Sequence, residues 1–212
     1  MRLGLLGGTF DPVHYGHLRF AQESLELFSL DEVVFMPVGI PPHKETSKIT
    51  PAEKRLKMVE LAIQGNPRFC ISDLEIRKPW MSYSVETIKE IKEEFAPGLE
   101  LYFLVGCDVF EEIGTWKDYQ ELLSLCNFVV AARAGQASSL PLEIASAFCY
   151  HEMGCYRHLS GTLLHYVEIT ALDISSTRIR EAVSQGKSIR YLLPGEVEDF
   201  IKREDLYTNR EG

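Results

Sequence analysis

An open parallel α/β sheet with helices on both faces is the architecture that this 212-residue sequence predicts. Two patterns carry the expectation. Short apolar runs rich in β-branched and aromatic residues alternate with amphipathic stretches, as βαβ units require. The first of these runs also leads through adjacent glycines into helical spacing, the junction at which such sheets place ligands.

The elements follow in order. Strands are expected at 2–6, 32–36, 101–105 and 128–132, with weaker ones at 69–74 and 166–170. Leu18, Ala21, Leu25 and Phe28 repeat at helical spacing after the first strand, and Leu56, Val59 and Ile63 after the second. For this second helix Thr50 is the expected cap, Pro51 suits the first turn and Glu53 closes a capping box. Asp118 and Glu121 repeat the signal ahead of Leu122 and Leu125. Ser176 precedes a helix that Gly186 can end, and 194–201 reads as helical. Residues 134–165 are the least readable, with one short helix expected at 142–148. With no repeat and no low-complexity linker, one domain over 1–212 is expected, its helical part from about residue 175 packed on the rest.

Composition narrows the function classes. A formal net charge of −9 argues against a general nucleic-acid binder, which carries a basic excess. No apolar run approaches the roughly 18 residues that suggest a membrane span. The opening Met1-Arg2-Leu3-Gly4-Leu5-Leu6 is too short for a signal peptide and reads as a first strand. Cys70, Cys107, Cys126, Cys149 and Cys155 are odd in number and match no CxxC pattern, so reduced thiols in a cytoplasmic protein are expected. A homo-oligomer is left open.

The informative segment is Gly7-Gly8-Thr9-Phe10-Asp11-Pro12-Val13-His14-Tyr15-Gly16-His17. Adjacent glycines let a backbone approach a phosphate closely. A helix opening near Gly16 would aim free N–H groups and a partial positive charge at the same point. His14 and His17, three apart, can face one anion in a first helical turn. Imidazole can donate hydrogen bonds and, near neutral pH, carry a proton. A metal pair is the alternative for that spacing, but the third ligand it needs is not nearby. Near the other end, Ser175, Ser176 and Thr177 at a helix start, with Arg178 and Arg180 one turn in, make a second anion cradle.

The first run resembles the HIGH-type signature of the nucleotidyltransferases, and in particular the first motif of bacterial nicotinate-nucleotide adenylyltransferases. Ile174-Ser175-Ser176-Thr177-Arg178-Ile179-Arg180 resembles that family's Ile-Ser-Ser-Thr-x-Ile-Arg. Pro41-Pro42-His43-Lys44, Ser82-Tyr83-Ser84-Val85-Glu86-Thr87 and Val105-Gly106-Cys107-Asp108 with Trp116 resemble its middle segments. The departures are Ser84 and Glu86 where the family has Thr and Asp, Cys107 for a small residue, and Ala132-Arg133-Ala134-Gly135 for Arg-Pro-Gly. The likeness thins between 136 and 165.

The resemblance implies a Rossmann-like nucleotidyltransferase fold and transfer of the adenylyl group of ATP to nicotinate mononucleotide. Transfer to nicotinamide mononucleotide or phosphopantetheine, and a nucleotide-binding module without chemistry, are the alternatives. Implied catalytic residues are His14, His17 and Lys44. Gly7, Gly8, Thr9, Phe10, His14, His17, Ser175, Ser176, Thr177, Arg178 and Arg180 are expected at ATP. Phe10, His43, Lys44, Tyr83, Ser84, Gly106, Asp108, Trp116 and Arg133 are expected at the mononucleotide. Donor-only backbone N–H groups at Tyr83 and Ser84 would favour a carboxylate over an amide. Trp116 could stack on the pyridine or sit in the core. Asp108 could hold ribose hydroxyls or cap a helix. Mg²⁺ is expected to arrive with ATP, with no protein metal site.

Overall fold

The computed structural model describes residues 1–41, 49–95, 98–132, 139–170 and 172–208. Eight strands form one sheet: β1 Arg2–Gly8, β2 Glu32–Pro37, β3 Phe69–Ile71, β4 Glu100–Gly106, β5 Asn127–Ala132, β6 Phe148–Glu152, β7 Cys155–His158 and β8 Leu163–Glu168. Their order is β3-β2-β1-β4-β5-β8-β7-β6. The six strands from β3 to β8 run parallel, and the β6–β7 hairpin extends them antiparallel.

Central β1 is apolar on both faces because both are covered, as parallel strands between helices require. Leu3 and Leu5 face one core and Leu6 the other. Gly4 lies where an added Cβ would come within 2.8 Å of Leu30 Cδ1. On the Leu6 side pack α1 (Tyr15–Leu27), α2 (Ala52–Ile63), α7 (Ser176–Ser184) and α8 (Gly195–Arg203). On the other side lie α3 (Ser84–Glu94), α4 (Cys107–Phe110), α5 (Tyr119–Leu125) and α6 (Leu142–Ala145). This is the Rossmann-like layout expected. Ile179, Val197, Phe200 and Ile201 of the last two helices enter the same core as Phe20 and Val59.

Local expectations differ in five places. The 142–148 helix stops at Ala145, and Phe148 opens a hairpin whose turn holds Gly154 at φ +74. Four of the five residues of β6 are exposed, so its sequence lacks the alternation that would reveal a strand. The expected 69–74 strand ends at Ile71, and the last parallel strand is 163–168 rather than 166–170. Thr50 does not cap α2: Pro51 holds that position and no side-chain cap forms. Thr50 instead spends its backbone N–H on Asp11 Oδ2 and its carbonyl on Arg55. Asp118 precedes α5 in a left-handed conformation, φ 48, likewise without a side-chain cap bond. All five cysteines are free. Among the described residues no helix is long and apolar enough to cross a membrane.

A candidate active site at the carboxyl ends of the strands

The loop after β1 folds around its own aromatic. Phe10 is only 2% exposed, with its ring near Phe35 and edge-on to His17. An added Cβ on Gly8 would lie 3.1 Å from that ring, a second reason for glycine beside phosphate approach. The Phe10 side chain, expected at both substrates, is therefore core; only its backbone, at φ 49, remains for a ligand.

His14 is the N-cap of α1 and is buried. Its ring stacks on His17, centroids 3.7 Å apart at 28°. The His14 backbone N–H donates to His17 Nδ1 at 3.2 Å. That bond fixes the tautomer: with Nδ1 accepting, the proton of a neutral His17 sits on Nε2. Burial lowers the His14 pKa to about 4. It drives His17 lower than the usual histidine value too, with the neighbouring His14 adding to the effect. Desolvation thus favours the neutral form of both rings near pH 7, in which each ring still carries one N–H donor. His14 Nδ1 is buried against Gly16 at the first turn of α1, without a regular hydrogen-bond partner. Gly16 is explained as well. An added Cβ there would press 3.0 Å from the His14 ring.

The second motif is tied to the first. Ser175 caps α7, its Oγ accepting from the Arg178 N–H. The Ser176 hydroxyl donates to the Pro12 carbonyl at 2.8 Å. Arg180 donates through one nitrogen to the Asp11 carbonyl at 2.6 Å and through another to Thr177 Oγ1 at 3.3 Å. Two stretches more than 160 residues apart therefore form one unit. Among the described residues the N–H groups of Gly16, Ser176 and Thr177 have no protein acceptor, so the openings of α1 and α7 present free donors. Arg178 is exposed and pairs with Asp173 at 2.6 Å.

The middle motifs lie at the starts of α3 and α4 and just before α5. At the start of α3 the N–H groups of Tyr83, Ser84 and Val85 likewise lack protein acceptors. Lys117 Nζ lies 4.4 Å from the Tyr83 ring centroid and pairs with Glu86. Trp116 is half-buried, T-shaped against Phe103 at 6.0 Å, so it is packed and yet open to a ligand. Gly106 caps α4, and Asp108 sits exposed in that helix's first turn, not at its cap. Gly7, the penultimate residue of β1, lies against Phe103, and the Thr9 carbonyl is engaged by Arg55. His43, Lys44 and Arg133 lie outside the described residues.

Three residues here carried no functional reading in the sequence. Arg55, 1% exposed, donates to the carbonyls of Thr9, Val38, Gly39 and Thr50. Asp11, also buried, accepts from the Thr50 N–H at 3.3 Å and the Tyr207 hydroxyl at 2.7 Å. An arginine on an otherwise amphipathic helix reads as a solvated charge. Only its place among the apolar positions Leu56, Met58 and Val59 hints at burial.

Comparison with known proteins agrees with this geometry. A family model described as Cytidylyltransferase-like matches residues 5–182. A curated relative from Syntrophotalea carbinolica, named "Probable nicotinate-nucleotide adenylyltransferase", is 46% identical, covering 100% of this chain and 99% of its own. One of the same name from Citrifermentans bemidjiense is 44% identical over 99% of each. Among solved structures, nicotinic acid mononucleotide adenylyltransferase of Plasmodium falciparum complexed with NaAD superposes with a TM-score of 0.76 at 20% identity. It covers 97% of both chains, a likeness of fold. With its two phosphate motifs joined at the sheet's carboxyl edge, the chain belongs to the nicotinate-nucleotide adenylyltransferase family.

Proposed function

We propose that this cleft transfers the adenylyl group of ATP to nicotinate mononucleotide, giving nicotinate adenine dinucleotide and pyrophosphate in NAD biosynthesis. The observation that carries the reading is the stacked, neutral His14–His17 pair between two helix N-termini with unused N–H groups.

The acceptor phosphate is mostly a dianion at neutral pH, its second pKa being about 6, so the attack on the α-phosphorus needs no general base. The residues' work is to position and to stabilise charge. His17 Nε2–H, its tautomer held by the His14 backbone, donates to a phosphate oxygen, and His14 acts beside it. The free N–H groups of Gly16, Ser176 and Thr177 hold the ATP phosphates. Arg180 keeps the two loops in register and Arg178 stands at the rim. The resemblance adds Lys44 on the phosphates and His43 and Arg133 near the mononucleotide. The three open N–H groups from Tyr83 to Val85 suit the nicotinate carboxylate, since an amide NH₂ would meet donors. Trp116 offers a face to the pyridine and Asp108 an acceptor to ribose hydroxyls.

Mg²⁺ on the ATP phosphates would neutralise charge on the leaving pyrophosphate. Among the described residues no group of three or more His, Cys, Asp or Glu could cage it, so phosphate and water would be its main ligands. The test is pyrophosphate release from ATP with nicotinate mononucleotide, nicotinamide mononucleotide or phosphopantetheine supplied separately. Release dominated by nicotinate mononucleotide is expected. Release with another acceptor would overturn the reading of the Tyr83 segment, and ATP binding without release would overturn catalysis.

A further inference from the structure

The phosphate loop has no regular structure of its own, yet its groups must hold sub-ångström positions for adenylyl transfer. The described residues around it converge on one side chain. Arg55, fully buried on the first turn of α2, spreads its guanidinium over carbonyls from three segments: Nη1 to Thr9 at 2.8 Å, Nη2 to Val38 at 2.7 Å and Gly39 at 3.1 Å, and Nε to Thr50 at 2.9 Å. Thr9 belongs to the phosphate loop, Val38 and Gly39 follow β2, and Thr50 precedes α2. Asp11, two residues beyond Thr9, supplies the opposite charge nearby and is held from its other side by Tyr207.

We propose that Arg55 is a positioning residue of the adenylyl transfer, clamping the phosphate loop to the ends of β2 and α2 so that His14 and His17 meet the phosphates in register. The inference rests on the assignment of those histidines to the transferred phosphate. Burial tends to lower the affinity of Arg55 for its proton, yet arginine stays charged in proteins, so the carbonyls receive a full cation. A planar fork reaches acceptors in several directions at once. A lysine ammonium is a point donor and cannot serve carbonyls on three segments together. Gly39 is itself closely packed: an added Cβ would lie 2.2 Å from the Glu75 carbonyl oxygen, so only glycine lets the segment sit where Arg55 reaches its carbonyl.

The experiment compares Arg55→Lys with Val59→Ala, a buried change one turn along the same helix whose apolar side chain makes no hydrogen bond to the loop. Thermal unfolding, kcat and the KM for ATP are measured at a temperature well below both transitions, with His17→Ala run alongside. Expected is a roughly 100-fold fall in kcat for Arg55→Lys, while KM changes less than threefold and Val59→Ala keeps its kcat despite a similar loss of Tm. Equal kcat for Arg55→Lys and wild type, or equal losses in both buried variants, overturns the proposal. A normal rate for His17→Ala overturns the histidine assignment instead. If Arg55→Lys yields no folded protein, Tyr207→Phe frees Asp11 from its other clamp. A kcat reduced about fivefold, the share of one charge-assisted hydrogen bond, supports the arrangement, and an unchanged kcat overturns it.

Discussion

Acid should weaken this fold through the histidine pair, and a single substitution isolates the effect. His14 is buried against His17, and burial lowers its pKa from 6.5 to about 4. The unfolded chain therefore binds a proton between those values that the native chain refuses. Where the unfolded state holds more protons, stability rises with pH. His14 thus favours the fold fully above pH 6.5 and loses that contribution as pH falls toward 4. Each unit of separation is worth about 1.4 kcal/mol, so about 3 kcal/mol is withdrawn across the window, most of it by pH 4.5. His17 adds to the loss in the same direction. In His14→Asn the term is absent. Urea unfolding of wild type and variant at pH 7.5 and 4.5 should show their stability difference move by about 2–3 kcal/mol in the variant's favour. In melting experiments the same change corresponds to roughly 5–10 °C for a chain of this size. Parallel pH dependence of the two proteins would refute the reasoning, since it would mean that His14 titrates alike folded and unfolded.

Three other outcomes test the site. His17→Ala should lower turnover by about two orders of magnitude, the effect of losing one preorganised donor; steady-state pyrophosphate release near the wild-type rate would remove His17 from the mechanism. Gly16→Ala should separate stability from activity. In helix α1 alanine is the better helix former by about 1 kcal/mol, so Tm should hold or rise. Its Cβ would meanwhile displace the His14 ring and reduce kcat roughly tenfold, and an unchanged kcat would show the ring position to be unimportant. Trp116→Ala should raise the KM for nicotinate mononucleotide about tenfold, as loss of a stacked aromatic does, with the KM for ATP within twofold. Equal losses for both substrates would make the indole only a cover for Phe103.

Two stabilising devices serve the catalytic unit at once. The N-terminal and C-terminal motifs meet through Ser176 on Pro12 and Arg180 on Asp11, so α7 is tied directly to the loop that carries His14 and His17. Arg180, expected at ATP, already spends two N–H groups inside the protein. Arg178 is the more exposed of the two and pairs at the surface, where an ion pair contributes little to stability.

The sequence by itself determined the alternation of strands and helices, the glycine-rich junction, the histidine spacing and the second motif. These are short-range patterns, legible because strand and helix periodicities and turn chemistry act over a few residues. The short β6–β7 hairpin escaped because four of the five β6 residues face solvent, leaving no hydrophobic alternation to read. Thr50 was misread for a different reason, and the Phe10 side chain lies where no local pattern would have put it. Tertiary partners outcompeted the local role: Thr50 gives its N–H to Asp11 and its carbonyl to Arg55, and the Phe10 ring is drawn into the core. The neutrality of the histidines depends on desolvation and on a ring 3.7 Å away, and the clamp on Asp11 on a tyrosine 196 positions later. Burial and long-range hydrogen bonding are properties of how the elements pack. Only the tertiary structure decided which polar groups would be tied to one another and which would be left facing the substrates.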